Sequence, residues 1–281
     1  MDIVPEPAWE ALLEELMARP GIALLLGGTS SGKTTLALFV IRELLGRGVP
    51  AALVDSDIGQ SSLGPPGTVS LKSFRTRADM EHAVPDRMAF VGGVNPGRHI
   101  GEVIHHTVRL ARSAPENVVL VDSSGLVDGD PGRALKLGKV RALRPAHMVA
   151  LERGEELKHI LGEVRGPRIW RMHVSPKARS RSRAERAAYR ERKFREHFEG
   201  ASVRCLDAGR VAFSRGGRSV EPGFSGPSPG LCVGLNRGED TLALGVVEAA
   251  EGGRICLYTS LASLSEVDTL ALGEEDFRCA P

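Results

Sequence analysis

The sequence predicts an α/β protein, a mainly parallel, doubly wound sheet followed by a small antiparallel β domain. Three observations carry that reading. Short apolar runs alternate with helical stretches as far as about residue 200, the pattern of βαβ units in a parallel sheet. Beyond that point come strand-like runs broken by turn glycines, "RVAFSRGGRSVEP" and "GLCVGLNRGEDTLALGVVEAAEGGRICLYTS", which read as antiparallel β structure. The length of 281 residues with 42% apolar side chains fills one large domain, or one of about 200 residues with a small companion. The expected division is 1–200 and 201–281.

The elements follow in order. "EPAWEALLEELMA", residues 6–18, sets Trp9, Leu12, Leu13, Leu16 and Met17 on one helical stripe, a docking helix before the first strand. "GIALLLG" reads as a buried strand and runs into "GGTSSGKTT", residues 27–35. Gly27, four residues, then Gly32-Lys33-Thr34 fit G-x-x-x-x-G-K-[ST]. Next, "TTLALFVIRELLGRG" places Leu36, Phe39, Val40, Glu43 and Leu44 at helical spacing and stops at Gly46. Strand, glycine loop and helix bring backbone N–H groups and a helix N-terminus together on phosphate oxygens. The stretch is a P-loop, and the sheet is of the P-loop NTPase type. Its nucleotide-binding residues are Gly27, Gly28, Thr29, Ser30, Ser31, Gly32, Lys33, Thr34 and Thr35. Lys33 is expected to bridge β- and γ-phosphates and Thr34 to ligate Mg²⁺, which makes ATP and Mg²⁺ the expected cofactors.

"AALVDSD" is a second buried strand, ending in Asp55 and Asp57. "GQSSLGPPGTVSL" reads as a loop rich in Gly and Pro. "MAFVGG" and "NVVLVDSSG" are further strands with the helix "IGEVIHHTVRLARSA" between them, and "AHMVALE" and "PRIWRMHV" continue the alternation. Ligands gather at the carboxyl ends of strands in such sheets, where the P-loop and both acidic strand ends fall. Asp122, ending "VVLVD", is the expected Mg²⁺ partner, with Asp55 as a further metal candidate. Asp57, nearer the loop, is the candidate base for a hydroxyl acceptor, because a carboxylate must align that hydroxyl and take its proton. Strand-end aspartates also serve as caps and turn residues.

The formal net charge of +2 hides an asymmetry. Residues 177–195, "KARSRSRAERAAYRERKFR", hold nine Lys/Arg and two Glu, a local +7. Crowded like charges are costly unless an anion sits opposite. Motif absences weigh against hydrolases: there is no N/T-K-x-D guanine motif, and Ser123 rather than glutamate follows Asp122. The four cysteines, Cys205, Cys232, Cys256 and Cys279, show no C-x-x-C pair, and they read as reduced core residues. With no signal peptide or apolar run of spanning length, the expected location is the cytoplasm.

"GGTSSGKTT", "VDSDIGQSSLGPPGTVSL", "VDSSGLVDG" and "RSRAERAAYRERKFREHF", in that order, resemble the Clp-one / Grc-three family of P-loop polynucleotide 5′-hydroxyl kinases. The D-x-D-x-G-Q followed by P-G-T is the most specific element. The resemblance spans roughly residues 20–200, with phrases of the C-terminal region also similar to compact archaeal-type members. It implies a form lacking the N-terminal β domain of the eukaryotic proteins. It implies Asp57 as the residue holding the acceptor 5′-hydroxyl, with Gln60 beside it and Pro66, Gly67 and Thr68 shaping the acceptor site. "GPPGT" is also primarily a turn signal, so a rigid connector stands as the alternative. The basic segment, about 177–198, would be the family's lid, with Arg181 and Arg186 as its catalytic arginines and Arg183 and Arg190 as alternatives.

The expected function is ATP-dependent phosphorylation of the 5′-hydroxyl of single-stranded nucleic acid, RNA favoured over DNA. The rival is a nucleotide-gated binder of nucleic acid or protein, or a slow ATPase switch, that transfers nothing.

Overall fold

The computed structural model describes residues 7–81, 84–220, 226–275 and 277–279. Its helices are α1 (Pro7–Ala18), α2 (Lys33–Gly46), α3 (Ile100–Ser113), α4 (Gly129–Leu143), α5 (Lys158–Leu161) and α6 (Arg183–His197). The strands of the first sheet are β1 (Ile22–Gly27), β2 (Ala51–Ser56), β3 (Thr68–Phe74), β4 (Arg87–Phe90), β5 (Val118–Ser123), β6 (His147–Glu152) and β7 (Arg168–His173). Those of the second are β8 (Ser202–Asp207), β9 (Ala212–Arg215), β10 (Arg218–Ser219), β11 (Cys232–Arg237), β12 (Asp240–Glu251), β13 (Arg254–Thr259) and β14 (Thr269–Leu272).

The first sheet runs β4-β3-β2-β5-β1-β6-β7. Strands β2, β5, β1, β6 and β7 are parallel, while β3 pairs antiparallel with both β2 and β4. The central strands are apolar on both faces because helices cover both. Ala23 and Leu25 of β1 pack under α1 and α2, with Trp9, Leu12, Leu16, Leu36 and Phe39. Leu24 and Leu26 face the opposite way, into a layer with Val103, Leu110, Leu135 and Val140 of α3 and α4. Of the stripe expected on α1, Trp9, Leu12, Leu13 and Leu16 form a docking face while Met17 stays exposed, and Trp9 lies against Phe39 with ring centroids 5.1 Å apart. Each buried leucine of that stripe contributes about 1.5–3 kcal/mol by leaving water.

The second sheet runs β10-β9-β14-β11-β12-β13-β8. It is antiparallel except where β14 pairs parallel with β9, a departure from the purely antiparallel expectation. The run "RVAFSRGGRSVEP" forms β9 and β10, its last two residues lying outside the described ones. The two sheets meet through β4: the Phe90 amide donates to Thr241 Oγ1 at 2.8 Å, and Arg87 forks onto Asp240 at 2.9 and 3.0 Å.

Two further expectations need correction. The loop read through "GPPGTVSL" ends early, because Thr68–Phe74 is a buried strand pairing with β2. The cysteines are not reduced core residues: Cys205 bonds Cys256 and Cys232 bonds Cys279. Cys205 and Cys256 are register partners on β8 and β13. Cys232 of β11 is joined to Cys279 in the segment after β14, so separations of 51 and 47 residues are closed by the tertiary fold, which no local spacing displays. Among the described residues no helix is long and apolar enough to cross a membrane.

Candidate active site

Parallel register assembles the site. Leu25 lies beside Asp122 and Asp55 beside Asp122 on adjacent strands, so β1, β2 and β5 deliver their carboxyl ends to one edge. The P-loop leaves β1 there. A Cβ on Gly27 would fall 2.4 Å from Ser31 Oγ, so only glycine closes this turn. Gly32, at φ 91°, caps α2 in the left-handed region open to glycine. Ser30 adopts φ 56°, an uncommon conformation for a side chain of its type and one that concentrates at ligand sites. Lys33 Nζ donates to the carbonyls of Gly27 and Gly28, each at 2.9 Å, and to Ser31 Oγ at 3.3 Å. Burial lowers its pKa, against the opposing pull of Asp122 and Asp57.

The three aspartates differ. Thr34 Oγ1 donates to Asp122 Oδ2, while Asp122 Oδ1 is buried with no hydrogen-bond partner. Burial first, then the Asp55 charge, push the Asp122 carboxyl up to about 7. An orphaned carboxylate oxygen beside a threonine hydroxyl suits a hard cation that takes oxygen ligands, so this pair fits Mg²⁺. Asp55 is buried too, but its oxygens are engaged. Oδ1 accepts the Asp57 amide at 3.0 Å, and Oδ2 accepts the Ser61 and Ser62 hydroxyls and the Ser62 and Leu63 amides at 2.5–3.2 Å. Asp55 organises the loop after β2, which leaves it poorly suited to the metal role expected of it. Asp57 is the first residue past β2 and half-buried. Its Oδ1 accepts the Gly59 and Gln60 amides at 3.2 and 3.1 Å, while Oδ2 accepts none among the described residues.

Helix α6 closes over this edge. Ser182 caps it, accepting the Glu185 amide, with Glu185 reaching back in a capping box. The Arg181 amide donates to Ser30 Oγ at 3.4 Å, and Gln60 Nε2 donates to the Arg186 carbonyl at 3.1 Å. Tyr189 donates its hydroxyl to the Ser61 carbonyl at 2.9 Å, and its ring lies between Arg181 and Arg192, at 5.0 and 5.1 Å. Arg179, Arg192 and Arg195 pair with glutamates of the same segment. Arg181, Arg183, Arg186 and Arg190 form no ion pair among the described residues. The Arg190 guanidinium is held below its ordinary range by burial and by the Arg186 and Arg183 charges.

With this geometry in view, the comparisons decide the family. The family described as "mRNA cleavage and polyadenylation factor CLP1 P-loop" matches residues 27–200. The chain belongs to the CLP1 P-loop family. It is 38% identical over 205 residues to a polyribonucleotide 5′-hydroxyl-kinase of Methanocaldococcus jannaschii, covering 71% of this chain and 56% of that protein. A Pyrococcus furiosus protein of the same name is 36% identical over 194 residues, covering 66% and 53%. The chain thus spans about half the length of the curated relatives it matches. A solved Clp1p–Pcf11p complex superposes with a TM-score of 0.70 at 12% identity, over 96% of this chain and 78% of that one, a likeness of fold.

Within this CLP1-family chain the P-loop, Asp57, Asp122, Gln60, Arg181 and Arg186 come together at one edge. Pro66, Gly67 and Thr68 do not reach the surface of that edge. All three are buried: Thr68 Oγ1 donates to the Pro65 carbonyl at 2.7 Å, and the Gly67 amide donates to Ile58 O at 2.8 Å. A Cβ on Gly67 would meet Phe277 at 3.2 Å. The rigid-connector alternative fits this packing better than an acceptor-shaping role. The sequence reading missed Tyr189, Arg153, Lys136 and Lys139. Arg153 donates to the Ser30 carbonyl at 3.0 Å. A signal for the lysines exists: in "RALKLGKVRAL" they share a stripe with Val140 and Leu143, where a helix docks on a sheet.

Proposed function

We propose that the chain is an ATP-dependent polynucleotide 5′-hydroxyl kinase. The observation that carries this reading is the contrast between Asp57 and its neighbours. Of the three strand-end aspartates it alone offers a carboxylate oxygen that is accessible and unengaged, on a loop directly under the basic lid. A carboxylate so placed can align a 5′-hydroxyl and accept its proton.

The chain's own groups supply the rest. The P-loop amides and Lys33 hold the phosphates, the ammonium exchanging the Gly27 and Gly28 carbonyls for phosphate oxygens. Thr34 and Asp122 would hold Mg²⁺, which would supply positive charge against that of the phosphates. Arg181 and Arg186 stabilise the charge spread over the transferring group, and Gln60 ties the acceptor loop to α6. We place residues 1–200 as the kinase domain and 201–281 as a small β domain that carries the root of the lid. RNA is the favoured acceptor because the relatives bear the name polyribonucleotide kinase, and the cytoplasm is the proposed location.

The test is transfer from γ-labelled ATP with Mg²⁺ to matched 5′-hydroxyl RNA and DNA oligonucleotides, with 5′-phosphorylated controls. Label on the 5′-hydroxyl strands alone is expected. Asp57→Asn should slow transfer by about 10²–10⁴-fold while ATP still binds. No label on any strand, with ATP bound, would leave a nucleotide-gated binder instead.

A further inference from the structure

Beneath the strand ends, α4 turns two lysines toward the sheet. Lys136 and Lys139 are both fully buried, at 0% exposure, a place where lysine is almost never found unless paired. Burial lowers both amines, Lys139 to about 8 and Lys136 well below its ordinary range. An apolar side chain of similar volume would fill the space without that desolvation cost, so packing alone does not account for them.

Their hydrogen bonds do. Lys139 Nζ donates to Ser56 Oγ at 2.6 Å, and Ser56 Oγ donates onward to the Asp122 carbonyl at 2.6 Å. Lys136 Nζ donates to Ser123 Oγ at 2.9 Å and to the Ser124 carbonyl, and Ser123 Oγ donates to the Leu25 carbonyl at 2.7 Å. Two side chains of one helix thereby join the carboxyl ends of β1, β2 and β5. These strands carry the P-loop, Asp57 and Asp122. Ser56 lies between Asp55 and Asp57, and Ser124 precedes Gly125, where a Cβ would fall 2.6 Å from Thr29. The clamp thus ties together the strand ends that carry the P-loop, Asp57 and Asp122.

We infer that Lys136 and Lys139 are positioning residues for phosphoryl transfer, a buried cross-strand clamp that sets Asp57 against Asp122 and the P-loop. The inference rests on the kinase reading above. Its weight comes from the steepness of geometry: a misplacement of about 1 Å at reacting groups costs about 10²-fold in rate.

The experiment uses the full chain with Lys139→Met, Lys136→Met and, as a small-volume variant of the same bridge, Ser56→Ala. Four quantities are read: melting temperature, affinity for a fluorescent ATP analogue, single-turnover transfer at saturating 5′-hydroxyl RNA, and amide exchange at Asp57, Gly59 and Gln60. For Lys139→Met the expected result is an unchanged or higher melting temperature and analogue affinity within about twofold, with transfer slower by about 10²-fold. Exchange at the three amides should quicken by about tenfold as the strand end loosens. Ser56→Ala should reproduce the slower transfer, and combining it with Lys139→Met should add little, as expected of two parts of one bridge. Lys136→Met should slow transfer in the same way.

Transfer unchanged in Lys139→Met and Ser56→Ala would overturn the clamp. So would a loss that only follows a fall in melting temperature or in analogue affinity. If the wild-type chain transfers no label, the kinase reading fails on its own. Amide exchange then still decides the clamp, quickened exchange supporting it and unchanged exchange refuting it.

Discussion

The two ends of α6 are built for opposite purposes. The first two turns carry Arg183, Arg186 and Tyr189 over the P-loop, exposed or half-buried, joined to the site by backbone carbonyls and one tyrosine hydroxyl. The last turns bury Phe194 and Phe198 in a cluster with Phe90, Leu244, Val246 and Phe277 beside the Cys232–Cys279 bond. Phe198 stacks on Tyr258 at 5.8 Å, and His197 accepts the Leu244 amide at 3.0 Å. Few apolar contacts and many solvent-facing ones mark the end that can move, and dense apolar packing marks the end that cannot. The lid proposed for this segment needs both, since a charge delivered late must still be delivered to one place.

The comparison can be broken from either end. The largest effect is expected at the exposed end. Arg186→Ala should lower single-turnover transfer by about 10³–10⁵-fold, the range of arginine fingers elsewhere, with the melting temperature unchanged. Equal losses of rate and stability would place Arg186 among the anchoring residues instead. At the buried end, Phe198→Ala should cost about 3–5 kcal/mol in denaturant unfolding and leave the ATP affinity of the folded fraction intact.

A third, smaller effect comes from His197. Burial first, then Lys193, lower its imidazole to about 4. Below the ordinary value of about 6.5 the unfolded chain takes up a proton that the folded one refuses. Stability therefore falls as pH drops from about 6.5 toward 4 and levels off beneath, by up to about 3 kcal/mol. His197→Gln should flatten that slope in pH-dependent unfolding; an unaltered slope would remove His197 from the anchor. The smallest effect sharpens the boundary between the two ends. Tyr189→Phe keeps the ring between its arginines and loses the bond to Ser61, so the acceptor KM should rise by roughly tenfold or less, about 1 kcal/mol. A change in ATP affinity instead would show that Tyr189 serves the nucleotide side.

How much of this was legible depended on the distance over which each signal is written. The P-loop, its strand and its helix are contiguous, and the glycines at positions 27 and 32 announce their own backbone geometry. The alternation of Ala23 and Leu25 with Leu24 and Leu26 appeared as a solid apolar run, which is how a strand covered on both faces reads. The basic segment at 177–195 was visible as a run of charge. Which arginines stay unpaired was not visible, because that depends on where Glu185, Glu191 and Glu196 lie around the helix. Asp55 and Asp57 differ in the sequence only by nearness to the loop. Their difference in the structure arises from the loop at 61–63 folding back on one and not the other. Lys136 and Lys139 carry only the stripe they share with Val140 and Leu143, which does not show that their ammonium groups end among Ser56, Ser123 and Ser124, and the cysteine pairs depend on tertiary contacts between residues about fifty apart.

The saturated carboxylate of Asp55 has a consequence in entropy. Four donors from Ser61, Ser62 and Leu63 converge on one of its oxygens, and the Asp57 amide takes the other. Fixing the backbone of a free residue costs about 1–2 kcal/mol, so a slack seven-residue loop would charge the acceptor heavily for becoming ordered around it. Here that ordering is completed when the chain folds. On the proposed kinase reading, a strand end diffusing in would meet a loop already in its final shape, and its contacts with Asp57 and Gln60 would go into binding rather than into building the site.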